Sequence, residues 1–182
     1  MNILETPPIS IVRRNHGIEH ATVHILTARH PNLSLIGRAD AQGFFIYGAV
    51  KTEELKTAAR EAIARLQNGE ANLAVHPRCG TNLVVAGILA GVAALIALGR
   101  KPSVRKIPDV LLATTLAAFV AHPIGLQLQA RVTTSADARG AQMTGIRESR
   151  WGNIPVRHVD IAWHADEKAN RLAKKINQEK LK

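Results

Sequence analysis

An uncharged run of 17 residues, 83–99, constrains this chain more than any other feature. It holds only leucine, isoleucine, valine, alanine and glycine. At about 1.5 Å of rise per residue such a helix reaches roughly 25 Å, close to the lower limit for crossing a bilayer. Thr81 and Asn82 can lengthen it. A second run, 110–125, carries Thr114, Thr115 and His122 as its polar side chains. The intervening 99–108 is short and holds four basic residues. Two apolar helices joined by a tight turn make a transmembrane hairpin, and burial in a soluble core is the competing reading. Gly87-x-x-x-Gly91 would let a second helix approach closely, from another copy of the chain or from a membrane-protein partner.

The rest of the chain is polar and basic. The net charge of +10 is uneven: 1–80 has nine Lys/Arg against seven Asp/Glu, and 130–182 has eleven against six. Basic flanks beside apolar segments suit an anionic lipid surface. They would suit nucleic acid too, but aromatics make up 3% of the chain, too few for a stacking platform, and no nucleic-acid motif is present. Nucleic acid is therefore not an expected partner, and the lipid bilayer is. The first residues, Met-Asn-Ile-Leu-Glu-Thr-Pro-Pro, lack the basic-then-apolar build of a signal peptide. The expected location is the cell membrane, with the soluble parts in the cytoplasm. By the positive-inside rule the basic turn at 99–108 argues for a cytoplasmic loop, while the basic flanks Arg65, Arg78, Arg131, Arg139, Arg147 and Arg150 argue the reverse; a hairpin that dips in without fully spanning would reconcile the two.

Periodicity predicts an α+β protein whose small soluble domain is split by the hairpin. Ile11, Ile18 and Ile25 recur at helical spacing over 9–30, and Pro31 closes that helix. Strands are predicted at 33–38 and 44–50, followed by a helix at 52–67 with Thr52 as its cap and Glu53 and Glu54 in its first turn. Strands at 142–148 and 154–163, turned at Trp151-Gly152-Asn153, lead to a lysine-rich amphipathic helix at 165–181. The expected segments are 1–80, soluble; 81–129, the membrane hairpin; and 130–182, soluble and packed with the first.

The chemistry concentrates in two places. His16-Gly17-Ile18-Glu19-His20 is an H-x-x-E-H pattern, and on a helix His16 and His20 share one face with Glu19 beside them. Two imidazoles one turn apart can share a metal ion, and a neighbouring carboxylate can act on its water, the residue order of inverzincin metalloproteases. The bland alternative is a polar helix face. Just before the first apolar run, His76-Pro77-Arg78-Cys79 has H-x-x-C spacing, and Cys79 is the chain's single cysteine, so no internal disulfide can form. His16, His20, His76 and Cys79 together would complete a tetrahedral zinc-type shell, with Glu19 as the candidate catalytic base. With four ligands the metal is structural; with three, hydrolysis becomes possible. His122, before Pro123, is an ionisable group at membrane depth. His30, His158 and His164 read as exposed or turn residues.

Taken together, His16-Gly17-x-Glu19-His20, the His76-Pro77-Arg78-Cys79-Gly80-Thr81-Asn82 segment, the hairpin, and Gln127-x-Gln129-x-x-x-Thr133-Thr134 resemble the YqhQ-like bacterial membrane proteins, catalogued as domains of unknown function. The resemblance covers roughly 14–134 and implies metal-dependent chemistry without a defined reaction. By position it marks His16, Glu19, His20, His76, Arg78, Cys79, Gly80, Thr81, Gln129, Thr133 and Thr134. This chain departs from that pattern in having two membrane helices and in Asn82, where a serine is common. The remaining alternative is a non-catalytic membrane scaffold or complex subunit with a structural metal.

Overall fold

The computed structural model describes residues 3–164, and the helix predicted at 165–181 lies outside them. The described residues form four α-helices and a four-stranded antiparallel sheet, an α+β arrangement. They divide into two units, one from residues 3–74 with 134–164 and one from Val75–Thr133.

In the first unit, α1 (Ile9–Arg29) is followed by β1 (Ile36–Ala39), β2 (Gly43–Tyr47) and α2 (Thr52–Gln67), and the later part of the chain adds β3 (Ala141–Trp151) and β4 (Ile154–Trp163). The strand order is β1-β2-β4-β3, so the two hairpins join where β2 pairs with β4. Phe44 lies opposite Val159 in that pairing, and with Ile46 and Ile161 they turn one sheet face toward the helices. On α2, Leu55, Ala58, Ala59, Ala62 and Leu66 form the apolar stripe that meets this layer. α1 differs from the single-stripe expectation. It is buried from Gly17 through Val23 without a break, so it is the unit's central helix.

The boundaries shift modestly from the predicted ones. β1 starts later than expected because Leu33 and Leu35 pack against the core before the strand pairing begins. Thr52 is the first residue of α2 and not its cap; Lys51 takes that place, and the Thr52 hydroxyl accepts instead from Arg157 Nε at 2.8 Å. The β3–β4 turn falls on Gly152 and Asn153, because Trp151 pairs with Ile154. Gly152 has φ +58°, a conformation that glycine adopts without steric cost.

The second unit is a helical hairpin of α3 (Gly80–Leu98) and α4 (Ile107–Leu128), and α4 continues as a π-helical turn over Gln129–Thr133. Both helices are long and apolar enough to cross a membrane. Cys79 caps α3, its sulfur accepting from the Thr81 amide at 3.4 Å. At the other end Lys106 Nζ donates to the Leu98 carbonyl at 2.7 Å, placing a cation where the helix dipole favours one. Pro108 lies at the start of α4, where its missing N–H costs nothing, and Pro123 is carried inside the helix. The helices meet at Asn82 and Gly125: a Cβ at Gly125 would come within 2.3 Å of Asn82 Oδ1. Gly87 and Gly91 have nothing within 4 Å of the position a Cβ would take, so the two helices do not meet through them.

Candidate metal centre

The H-x-x-E-H segment lies in the middle of α1. Helical spacing brings the His16 and His20 rings to 4.4 Å between centroids. Glu19 Oε2 sits 3.6 Å from His16 Nε2 and 3.9 Å from His20 Nε2. Glu19 and His20 are buried, at 5% and 2% exposure, while His16 is half-buried. Two glycines make room for this. A Cβ at Gly37 on β1 would fall 1.8 Å from Glu19 Oε1, and one at Gly17 would fall 2.1 Å from the Ser135 carbonyl. The Ser135 amide in turn donates to the Arg13 carbonyl at 2.9 Å, tying the chain after residue 134 to α1.

His20 Nδ1 lies 2.8 Å from the Ala74 carbonyl. A carbonyl only accepts, so in the neutral ring Nδ1 carries the proton and Nε2 keeps its lone pair, on the side of Glu19. A ring N–H anchored on a carbonyl is the feature that orients metal-binding histidines.

In the hairpin unit a set of amides shapes the loop that carries Cys79. Gln129 is fully buried; its Nε2 donates to Asn82 Oδ1 at 2.7 Å and its Oε1 accepts the His76 amide at 3.0 Å. Asn82 Nδ2 donates to the Pro77 carbonyl at 2.7 Å. The Thr81 and Thr133 hydroxyls are 3.3 Å apart. Gln129 and Thr133 therefore have concrete work here, Gln129 with Asn82 and Thr133 with Thr81. Thr134 belongs to the other unit, where its carbonyl accepts from Arg13 at 3.2 Å.

Of the four expected ligands, His16 and His20 belong to the first unit and His76 and Cys79 to the hairpin unit. His76 Nδ1 accepts the Arg78 amide at 3.1 Å, which closes the turn before α3. The two imidazoles on α1 are nitrogen donors of the kind zinc prefers, with the Glu19 carboxylate beside them.

The chain matches the domain of unknown function DUF6391 over residues 11–146. It belongs to that family. The matched span takes in both sequence clusters and both apolar helices of this DUF6391 protein, while the likeness to YqhQ-like proteins remains one of motifs. An uncharacterized protein of Picosynechococcus sp. is 35% identical over 138 residues, which is 68% of this chain and 66% of the relative. The chain thus spans about two thirds of that relative's length. No solved structure matches.

Three further histidines have surroundings of their own. His30 pairs with Glu54. His158, read from sequence as exposed, is 3% exposed and lies between Asp160 and Asp40, its Nδ1 2.8 Å from one and its Nε2 3.2 Å from the other. The signal for it was weak: β4 alternates, but both of its faces are covered at that point. His122 lines a cleft in the hairpin unit with Arg78 and Cys79.

Proposed function

We propose that this DUF6391 chain is an integral membrane protein whose α3–α4 hairpin lies in the bilayer and which carries a zinc-type hydrolytic centre at the membrane surface. The reading is carried by the α1 cluster, in which the His16 and His20 rings lie 4.4 Å apart with Glu19 Oε2 beside both. The chemistry of the donor set, the anchored His20 ring and the buried carboxylate of Glu19 support it. A zinc ion held there would supply Lewis acidity to a carbonyl of a peptide or ester close to the lipid. His16 and His20 would hold the ion through their ring nitrogens, and Cys79 would be a further ligand through its sulfur. Glu19 is the base: its Oε2, beside both imidazoles, accepts a proton from the attacking water and can return it to the leaving group. Its burial keeps bulk water from competing for that proton. Because Cys79 immediately precedes α3, the reaction would take place where the chain enters the bilayer. His76, if it joins the shell at all, does so only after giving up the Arg78 amide.

Elemental analysis of the full chain purified in detergent tests the centre. About one zinc ion per chain is expected, lost on His20→Ala and on Cys79→Ser. Glu19→Gln should keep the metal and lower hydrolysis of a panel of fluorogenic esters and peptides in mixed micelles by about 10²-fold or more. Protein without stoichiometric metal ends the proposal. Zinc retained with hydrolysis untouched by Glu19→Gln would leave a metal of structural use alone.

A further inference from the structure

The hairpin unit contains a cleft of about 410 Å³ between its two helices. Arg78 and His122 stand at its polar end, and Leu83, Ala86 and Ala118 form its apolar wall. The volume falls within the roughly 300–1,000 Å³ of small-ligand sites. Two alanines, one on each helix, keep it open; a large side chain at either position would fill it. The two ends differ in chemistry. Arg78 bears a permanent, planar charge that matches phosphate oxygens with paired N–H donors. His122 is the one ionisable side chain between Asp109 and Arg131. Among the described residues, no acidic side chain lines the cleft. On the apolar side the wall runs directly onto outward-facing surface, for Leu83 is 76% exposed and Phe119, next to Ala118, is 75% exposed.

A cation and an imidazole at one end of a slot, with an apolar wall open to the side at the other, fit an amphiphile with an anionic head. We infer that the cleft binds one anionic phospholipid, its phosphate on Arg78 and His122 and one acyl chain between Ala86 and Ala118. The inference rests on the bilayer placement of the hairpin proposed above and is independent of the metal. A soluble phosphate compound would use the polar end only and would leave the apolar wall uncovered. A phospholipid accounts for both.

Native mass spectrometry of the full chain in detergent, titrated with phosphatidylglycerol or phosphatidylcholine, tests it. One phosphatidylglycerol adduct is expected, formed at about tenfold lower lipid concentration than the phosphatidylcholine adduct. Arg78→Gln combined with His122→Gln, both at exposed positions, should bring the two lipids within about twofold of each other. Ala118→Phe should abolish the adduct while circular dichroism shows unchanged helix content. Equal binding of the two lipids by the unaltered protein overturns the inference, as does a selective adduct that survives the double substitution. If Ala118→Phe unfolds the hairpin, the double substitution decides alone. Vesicle flotation separates the failures: protein that floats but shows no lipid preference refutes the cleft assignment only, whereas protein that stays soluble without detergent and does not float refutes the bilayer placement and this inference with it.

Discussion

In the α/β unit Phe44, Ile18 and Leu26 are fully buried, whereas in the hairpin unit Leu95, Ile96 and Phe119 are 72%, 76% and 75% exposed. The residue types are the same and their placement is opposite. What the hairpin does bury is partly polar: Asn82 and Gln129 lie inside with Val85, Ala121 and Gly125. In the α/β unit, ion pairs such as Arg65 with Glu70 and Arg139 with Asp137 lie near the surface, while His158 is buried between Asp40 and Asp160. In water, apolar surface costs about 25 cal/mol for each Å² left exposed, so contiguous apolar patches stay small on soluble monomers. The comparison teaches that hydrophobic residues do not by themselves define an inside; the surrounding solvent does. A lipid solvent for one unit and water for the other is what our proposal adds.

The largest test of this contrast is a matched pair of truncations. Phe44→Ala should destabilise the protein by about 3–5 kcal/mol, since it removes a fully buried ring at the centre of the sheet–helix layer. Phe119→Ala, in detergent, should change stability by no more than about 0.5 kcal/mol. Thermal unfolding of both variants gives the comparison directly. Equal losses would mean that Phe119 is packed against protein and that the hairpin is an ordinary core.

A smaller effect should come from the hairpin's polar interior. Gln129→Leu keeps the volume roughly but leaves the Asn82 side-chain oxygen and the His76 amide without the partner they have now. A buried group so abandoned costs about 1–3 kcal/mol, so this variant should unfold at lower temperature than a Thr115→Ala control on the exposed face of α4. An unchanged melting point would show that water can replace the amide and that the loop before α3 is not held by it.

Much of this architecture was legible because it depends on local pattern. The apolar runs announced α3 and α4, Pro31 marked the end of α1, and H-x-x-E-H at helical spacing put two imidazoles and a carboxylate together before any tertiary contact was known. The misses share another cause. That Gly37 would press against Glu19, or that Asp40 from a distant turn would meet His158, depends on strand register and on chain folding over long separations. His76 shows the limit of spacing arguments: H-x-x-C brings two side chains within reach of one ion, but the same tight turn offers the Arg78 amide to the His76 ring. Whether backbone or metal takes the nitrogen is decided by geometry that a spacing does not contain. The predicted helix at 165–181 lies outside the described residues.

The smallest expected effect concerns acid, and it too should divide the two units. Asp160 accepts from Arg147 through Nε at 3.0 Å and through a second nitrogen at 2.7 Å, with His158 Nδ1 also 2.8 Å away. These contacts, Arg147 first, hold the Asp160 carboxyl below the usual carboxylate range, against the opposing pull of burial. Asp137, beside Arg139 and Arg14, is shifted in the same direction. A carboxyl whose folded value lies below its unfolded one, about 3.9, contributes stability that is present above that pH and is lost as pH falls through the folded value. Acid should therefore loosen the α/β unit below about pH 4. Both tryptophans, Trp151 and Trp163, belong to that unit and report on it by near-ultraviolet circular dichroism. Asp160→Asn should flatten the dependence of that signal's melting point on pH between about 4 and 2, because one proton-binding difference between folded and unfolded chain is gone. The hairpin unit has Asp109 as its one acidic residue, so its far-ultraviolet helical signal should persist through the same titration. If helix signal and tryptophan signal fall together, with the same slope in the variant, the two units share one acid-sensitive transition and the ion cluster on β4 does not set it.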